Sequence, residues 1–211
     1  KGIFSDPEII PTMNRDRVID YLIFLHGKKG SSFFKDIYKV PKSNFILIEK
    51  DKIKLEQYFD FDYENQLEFV NDEEYADSFL SLFLDVTKSH LRSSNNKVSC
   101  ALSGGLDSSA ITCLAASIEN DSQIYASSAI FKNLSENDKK KVDETIYMDS
   151  VIDKTGLKHN QVEINRYGPL EFLEEINEYS DEPQSLVNGY IHNKIFENLR
   201  KNEIKVHLDG I

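Results

Sequence analysis

The run Ser103-Gly104-Gly105-Leu106-Asp107-Ser108-Ser109 constrains this chain more than any other feature. It follows a short apolar stretch, Val98 to Leu102, and precedes a helix-forming one, Asp107 to about Ile118. A Ser/Gly turn joining a strand to a helix belongs in an open α/β sheet, facing the crevice at the carboxyl ends of the strands. Gly104 and Gly105 lack a Cβ, so a ligand can approach the backbone closely. The unpaired N–H groups that open the next helix suit an anion. Ser103, Ser108 and Ser109 add hydroxyl donors. Together these properties describe a phosphate cradle.

Two omissions sharpen that reading. The run lacks the Gly-Lys-Ser/Thr ending of a Walker A loop, and no Lys or Arg occurs between Lys97 and Lys132. A bound phosphate must then be neutralised by backbone amides, by a metal, or by residues elsewhere. Asp107 fits a metal, because a carboxylate beside phosphates is repulsive unless a hard cation such as Mg²⁺ bridges them. A generic turn of this kind binds nothing and would use Asp107 only as a helix N-cap. The full seven-residue string between strand and helix points the other way.

The rest of the chain fits an α/β fold. From about Asp72 to Leu91, Tyr75, Phe79, Leu82, Phe83 and Val86 repeat at helical spacing. Beyond the loop, Ile124–Phe131, His159–Ile164 and Lys205–Leu208 read as strands. Asp143–Lys154, Pro169–Tyr179 and Asn188–Asn198 read as helices, the first closed by Gly156. This alternation predicts a parallel sheet covered on both faces, with Val98 to Leu102 at its centre. The first part differs. A helix from Pro11 to Gly27, capped by Asn14, precedes a hairpin formed by Phe45–Ile48 and Ile53–Tyr58. An acidic stretch over residues 60 to 74 reads as a linker.

Acidic residues number 36 against 25 basic ones, for a formal charge of -11. Such a surface repels phosphate backbones and argues against a nucleic-acid partner, while leaving room for a small buried nucleotide site. Two cysteines, Cys100 and Cys113, form neither a C-x-x-C pair nor a disulfide framework, so a reduced, cytoplasmic setting is expected. No apolar run reaches the roughly 20 residues that span a bilayer. The chain opens on Lys1 and ends on Ile211 directly after a strand-like run, so both ends read as cuts.

The string S-G-G-L-D-S-S resembles the pyrophosphate loop of the N-type ATP pyrophosphatases, whose fold is adenine nucleotide alpha hydrolase-like. Its surroundings look most like the asparagine synthetase family. Asp143-Glu144, Gly156-Leu157-Lys158-His159, Asp181-Glu182-Pro183 and the terminal Leu208-Asp209-Gly210-Ile211 follow in the family's order. The resemblance implies that residues 1–63 are the end of a glutaminase-type (Ntn) α+β domain. Residues 64–211 would be the first part of the ATP-binding synthetase domain. It implies an enzyme that binds ATP and Mg²⁺, adenylates a carboxylate, releases pyrophosphate and forms an amide. By this carry-over Ser103, Gly104, Gly105, Asp107 and Ser108 hold pyrophosphate, with Asp107 also a Mg²⁺ ligand. Leu102 and Ile130 border adenine and ribose, and Asp209 and Gly210 approach the adenosine. The carboxylate would be aspartate or a precursor peptide, and a homodimer is one assembly open to it.

The departures bear on the reaction. Lys1 stands at the start, where the family's mature chain has a nucleophilic cysteine. Asp209 replaces the serine common in true asparagine synthetases, as in divergent relatives that include lasso-peptide macrocyclases. The acidic residues after the second loop and a catalytic lysine would lie beyond Ile211. An ATP-binding module without turnover is therefore a further reading. A tRNA-thiolating or lysidine-forming user of the same loop would need a basic RNA face, which this composition does not offer. Elsewhere His159 and Cys100 read as structural residues, and the other histidines show no metal-ligand spacing. Glu144 reads equally as a crevice residue and as a helix-start carboxylate.

Overall fold

In a computed structural model describing residues 2–50, 52–118, 122–164, 168, 170–183 and 186–210, the chain forms two units, Lys1–Glu68 and Phe69–Ile211. In the first, α1 (Arg15–Leu22) starts where expected, with Asn14 Oδ1 accepting from the Arg17 N–H at 3.3 Å. It stops earlier than Gly27. Phe24 takes a left-handed φ of 59°, its N–H donates to Tyr21 O at 3.1 Å, and the Leu25 N–H donates to Asp20 O at 2.7 Å. That is a Schellman ending without glycine, so Leu25 lies past the helix. The hairpin is present as β1 (Asn44–Glu49) and β2 (Lys52–Gln57), pairing Ile48 with Ile53. Phe45, Ile46, Leu47, Ile48, Ile53 and Leu55 are all exposed on it.

Among the described residues of this unit only Ser32 and Phe33 are buried. One short helix and one hairpin cannot close a two-layer core. Residues 1–68 expressed alone should therefore show no cooperative transition on heating, followed by circular dichroism. A sharp, reversible melt would mean that the segment closes a core of its own.

The second unit opens with α2 (Asp72–His90). Asn71 Oδ1 accepts from the Glu74 N–H at 3.0 Å, and Glu74 Oε2 accepts from the Val70 N–H at 3.1 Å. Asp72, Glu73 and Glu74, expected in the linker, thus form a helical first turn, where the dipole favours carboxylates. Then follow β3 (Lys97–Ala101), α3 (Leu106–Ser117), β4 (Gln123–Ile130), α4 (Glu136–Val142) and α5 (Thr145–Thr155). After them come β5 (Lys158–Glu163), α6 (Leu173–Tyr179), α7 (Leu186–Lys201) and β6 (Val206–Leu208). Pro169, the expected start of the sixth helix, lies outside the described residues.

The sheet is parallel, ordered β5-β4-β3-β6, so β3 and β4 are its middle strands. Alternation along the strands supplies two apolar faces. On one, Val98 and Cys100 pack with Leu91, Ile111 and Ala115, while Leu102 and Ala126 meet Met148 of α5. On the other, Tyr125, Ala129 and Val162 meet Ile191, Ile195 and Leu199 of α7. Cys100 is the core residue expected of it: fully buried, with its thiol pushed up to about 12 by burial. Gly156 closes α5 at φ 67°. Among the described residues no helix is long and apolar enough to cross a membrane.

Candidate functional site

The Ser103–Ser109 run sits at the carboxyl end of β3, one of the two middle strands. Leu102 anchors it, 1% exposed, with its N–H donating to Ser127 O at 2.9 Å. The turn then tightens around two serines. Ser103 Oγ lies 2.9 Å from Ser108 Oγ, the Ser103 N–H donates to Ser108 Oγ at 3.2 Å, and the Gly105 N–H donates to Ser103 Oγ at 3.3 Å. Ser108 is 7% exposed, so its hydroxyl shapes the loop from within.

Asp107 is not the N-cap of α3. Gly105 occupies that position without a side-chain bond, and Asp107 is the second helical residue, exposed to solvent. Its carboxylate is therefore not spent on capping. The first bond along α3 runs from the Ser109 N–H to Gly105 O at 3.1 Å, so the N–H groups of Leu106, Asp107 and Ser108 have no acceptor within the helix.

The two glycines differ. Gly104 has φ +89°, and a Cβ there would lie 2.8 Å from Glu144 Cβ and 3.0 Å from Glu144 O. The missing side chain makes room for the start of α5 as well as for any ligand. A Cβ on Gly105 would meet only Ser103 Oγ, at 3.4 Å. Gly210 returns from β6 onto the helix start, where its Cβ would lie 3.0 Å from Ser108 N and 3.1 Å from Asp107 Cβ.

Beside this loop the strand ends enclose a cavity of about 360 Å³. Leu102, Ser103, Ile130 and Asp209, named from the sequence, line it; Gly104, Gly105, Asp107, Ser108 and Gly210 are not in its lining and gather around the start of α3. Ser128, Asp143, His192 and His207 also line it, and sequence reasoning did not place them there. Glu144 does face the crevice. Among the described residues no Lys or Arg lines the cavity, while Asp143, Glu144 and Asp209 do. The Asp143 carboxyl is held below its ordinary value by hydrogen bonds from the Thr145 hydroxyl and N–H.

Polyphosphate in such surroundings calls for a cation. Among the described residues no three His, Cys, Asp or Glu side chains are grouped to cage a metal. Mg²⁺ needs no such cage, since it binds through one or two carboxylates and completes its shell with water and phosphate oxygens. Asp107 fits that role by its chemistry and its freedom from capping.

His159 packs as a structural residue: Nε2 lies 2.8 Å from Ser128 Oγ, whose hydroxyl also donates to Leu102 O. Burial holds its imidazole below the ordinary value, opposed by Asp149. The unfolded chain therefore takes up this proton first, and the stability of the neutral form is complete above about pH 6.5 and is lost as pH falls below it. The melting temperature should drop between about pH 7.5 and about pH 5.5, and His159→Gln should flatten the drop. An unchanged slope in the variant would remove His159 from this linkage.

The sequence matches the asparagine synthase family over residues 78–211, more than half its length and including the whole loop and cavity wall. The chain belongs to the asparagine synthase family. No curated protein matches it. Among solved structures, the NH3-dependent NAD synthetase of Campylobacter jejuni is similar at 14% identity and TM-score 0.42, over 62% of this chain and 54% of that one. A U34-tRNA thiolase of Methanococcus maripaludis is similar at 19% identity and TM-score 0.43, over 64% of this chain and 46% of that one. NMN synthetase of Francisella tularensis is similar at 16% identity and TM-score 0.36, over 66% of this chain and 54% of that one. The family member described here thus spans about half the length of each.

Proposed function

We propose that this asparagine synthase family member is an ATP-dependent ligase that joins a carboxylate to an amine. The observation that carries the reading is the Ser103–Ser109 loop, seated at a middle strand's end and opening on the cavity that Leu102, Ile130 and Asp209 line. In this reading the adenosine lies against Leu102 and Ile130, and the pyrophosphate lies in the loop at the start of α3. Ser103, Gly104, Gly105 and Ser108 shape that cradle, and Gly210 closes it from β6. Asp107 would hold Mg²⁺, which when bound neutralises the leaving pyrophosphate. The carboxylate oxygen attacks the α-phosphorus and the α–β phosphoanhydride bond breaks; an amine then displaces AMP from the acyl carbon. Residues 1–63 are read as the end of a glutaminase-type domain that supplies the amine, and residues 64–211 as the first part of the ATP-binding domain, in a cytoplasmic enzyme.

Asp209, where true asparagine synthetases carry serine, favours a second substrate: the side-chain carboxylate of a precursor peptide, cyclised on itself. One experiment addresses both. The full-length protein is given Mg·ATP and labelled pyrophosphate with aspartate, with a precursor peptide, or with neither. Label should enter ATP only when the right carboxylate is present. Release of ADP and phosphate in place of AMP and pyrophosphate would overturn the ligase reading, and ATP bound without exchange would leave a binding module.

A further inference from the structure

Packing does not explain α4 (Glu136–Val142). From Glu136 to Lys141 only Lys139 is even partly covered, and a helix of 7 residues is marginal without a buried face. Local polar bonds hold it: Ser135 caps it, and Lys139 pairs with Glu136 at 3.0 Å. Yet it sits where the site needs charge. Leu134, just before it, and Asp143, just after it, both line the cavity, so α4 spans a stretch of the rim. Glu144 follows, and its Cβ is what a side chain on Gly104 of the loop would strike.

The lysines of this stretch divide into two kinds. Lys132 is spent on Glu163 at 3.6 Å, and Lys139 on Glu136. Lys140 and Lys141 are exposed and have no side-chain partner among the described residues. A cation in the last turn complements the helix dipole, a role that Lys139 already fills. Lys141 is three residues from Glu144, at most about 11 Å of backbone, and carries its charge on a flexible four-carbon stem. None of the described residues lining the cavity is Lys or Arg, so side-chain countercharge for polyphosphate has to come from the rim. We propose that α4 is a cationic flap of this site, with Lys140 and Lys141 binding the outer phosphates of ATP. This rests on the reading that ATP occupies the cavity with its phosphates at the Ser103–Ser109 loop. The two ammonium groups are point charges without the planar fork of arginine, so they recognise the charge of the phosphates and not their shape.

Calorimetric titration of Mg·ATP, Mg·triphosphate and adenosine into the full-length protein tests this. Lys140→Gln with Lys141→Gln should weaken both phosphate ligands about threefold to twentyfold at about 50 mM salt and leave adenosine unchanged. At about 1 M salt, where the Debye length is about 3 Å, the loss should shrink below about twofold. Arginine at both positions should keep the affinity, since only the charge is needed. Lys201→Gln with Lys205→Gln removes the same net charge from exposed positions before β6 and should change nothing. Equal affinities, a loss that ignores salt, or the same loss in the Lys201 and Lys205 variant would each overturn the proposal. If the Lys140 and Lys141 variant does not fold, trypsin acting on the unsubstituted protein decides. Mg·triphosphate should slow cleavage after Lys140 and Lys141, and adenosine should not; one rate under all conditions would overturn the flap. A protein that binds no Mg·ATP would overturn the ATP reading itself, a different result from ATP binding that ignores these lysines.

Discussion

Replacing Asp107 by Asn in the full-length protein should leave the fold intact and lower the affinity for Mg·ATP by about tenfold or more, the equivalent of roughly 1.4 kcal/mol. Two features separate these effects. Asp107 caps nothing, since Gly105 holds the N-cap position, so the amide removes no structural hydrogen bond of the helix start. What folding loses is the favourable placement of a charge in the first turn, about 0.3–1 kcal/mol at an exposed site. What binding loses is a hard-oxygen ligand beside a cavity that, among the described residues, Asp143, Glu144 and Asp209 line and no Lys or Arg does. Calorimetric titration of Mg·ATP into both proteins, with melting curves alongside, measures the two effects separately. Equal affinities would take Asp107 out of the site. A large loss of melting temperature would show that the carboxylate stabilises the fold in a way its position does not predict.

The second large effect is expected at Gly104. Alanine there must hold φ near +89°, which costs about 1–2 kcal/mol for a residue with a Cβ. Its methyl group would also enter contact at 2.8 Å with Glu144 Cβ and 3.0 Å with Glu144 O. Neither is the movable tip of a side chain, so the start of α5 must shift, at about 1–3 kcal/mol. Together these amount to about 2–5 kcal/mol, or a melting temperature lower by roughly 4–20 °C. Gly105→Ala is the control. Its φ of -71° is ordinary, and its Cβ would meet one hydroxyl at 3.4 Å, so its stability should stay within about 1 kcal/mol. If both variants melt alike, the close approach of Glu144 is not what requires glycine at position 104.

Much of this was legible in the sequence because the informative parts are local. The apolar run into Ser103-Gly104-Gly105, and the Gly156 stop, each encode their structure within a few residues. What escaped depends on distant partners or on polar signals. The helix α4 carries no apolar stripe; it is held by Ser135, whose Oγ accepts from the Asp138 N–H at 3.1 Å, and by the Lys139–Glu136 pair at 3.0 Å. The left-handed Phe24 hid the end of α1, because the chain has a more obvious glycine three residues on. His192 and His207 read as scattered histidines. Only the coverage of the sheet by α7 and the pairing of β6 with β3 bring them to a cavity whose loop lies about a hundred residues earlier.

That pairing has a consequence for how the molecule assembles. β3 joins β4, and β4 joins β5, across a few tens of residues each, whereas the bond from Asn95 Nδ2 to Glu203 O beside the β3–β6 pair spans 108 residues. Contacts that distant carry the largest loop-closure entropy and form against the slowest search. Gly210, which presses on the first turn of α3, arrives only with them. A chain emerging from the ribosome would therefore lay down the Ser103–Ser109 turn early and lack the Gly210 side of it until β6 docked. Competence to retain ligand would then follow the β3–β6 pairing, and a pulse of nucleotide during refolding would be captured only after that pairing had formed.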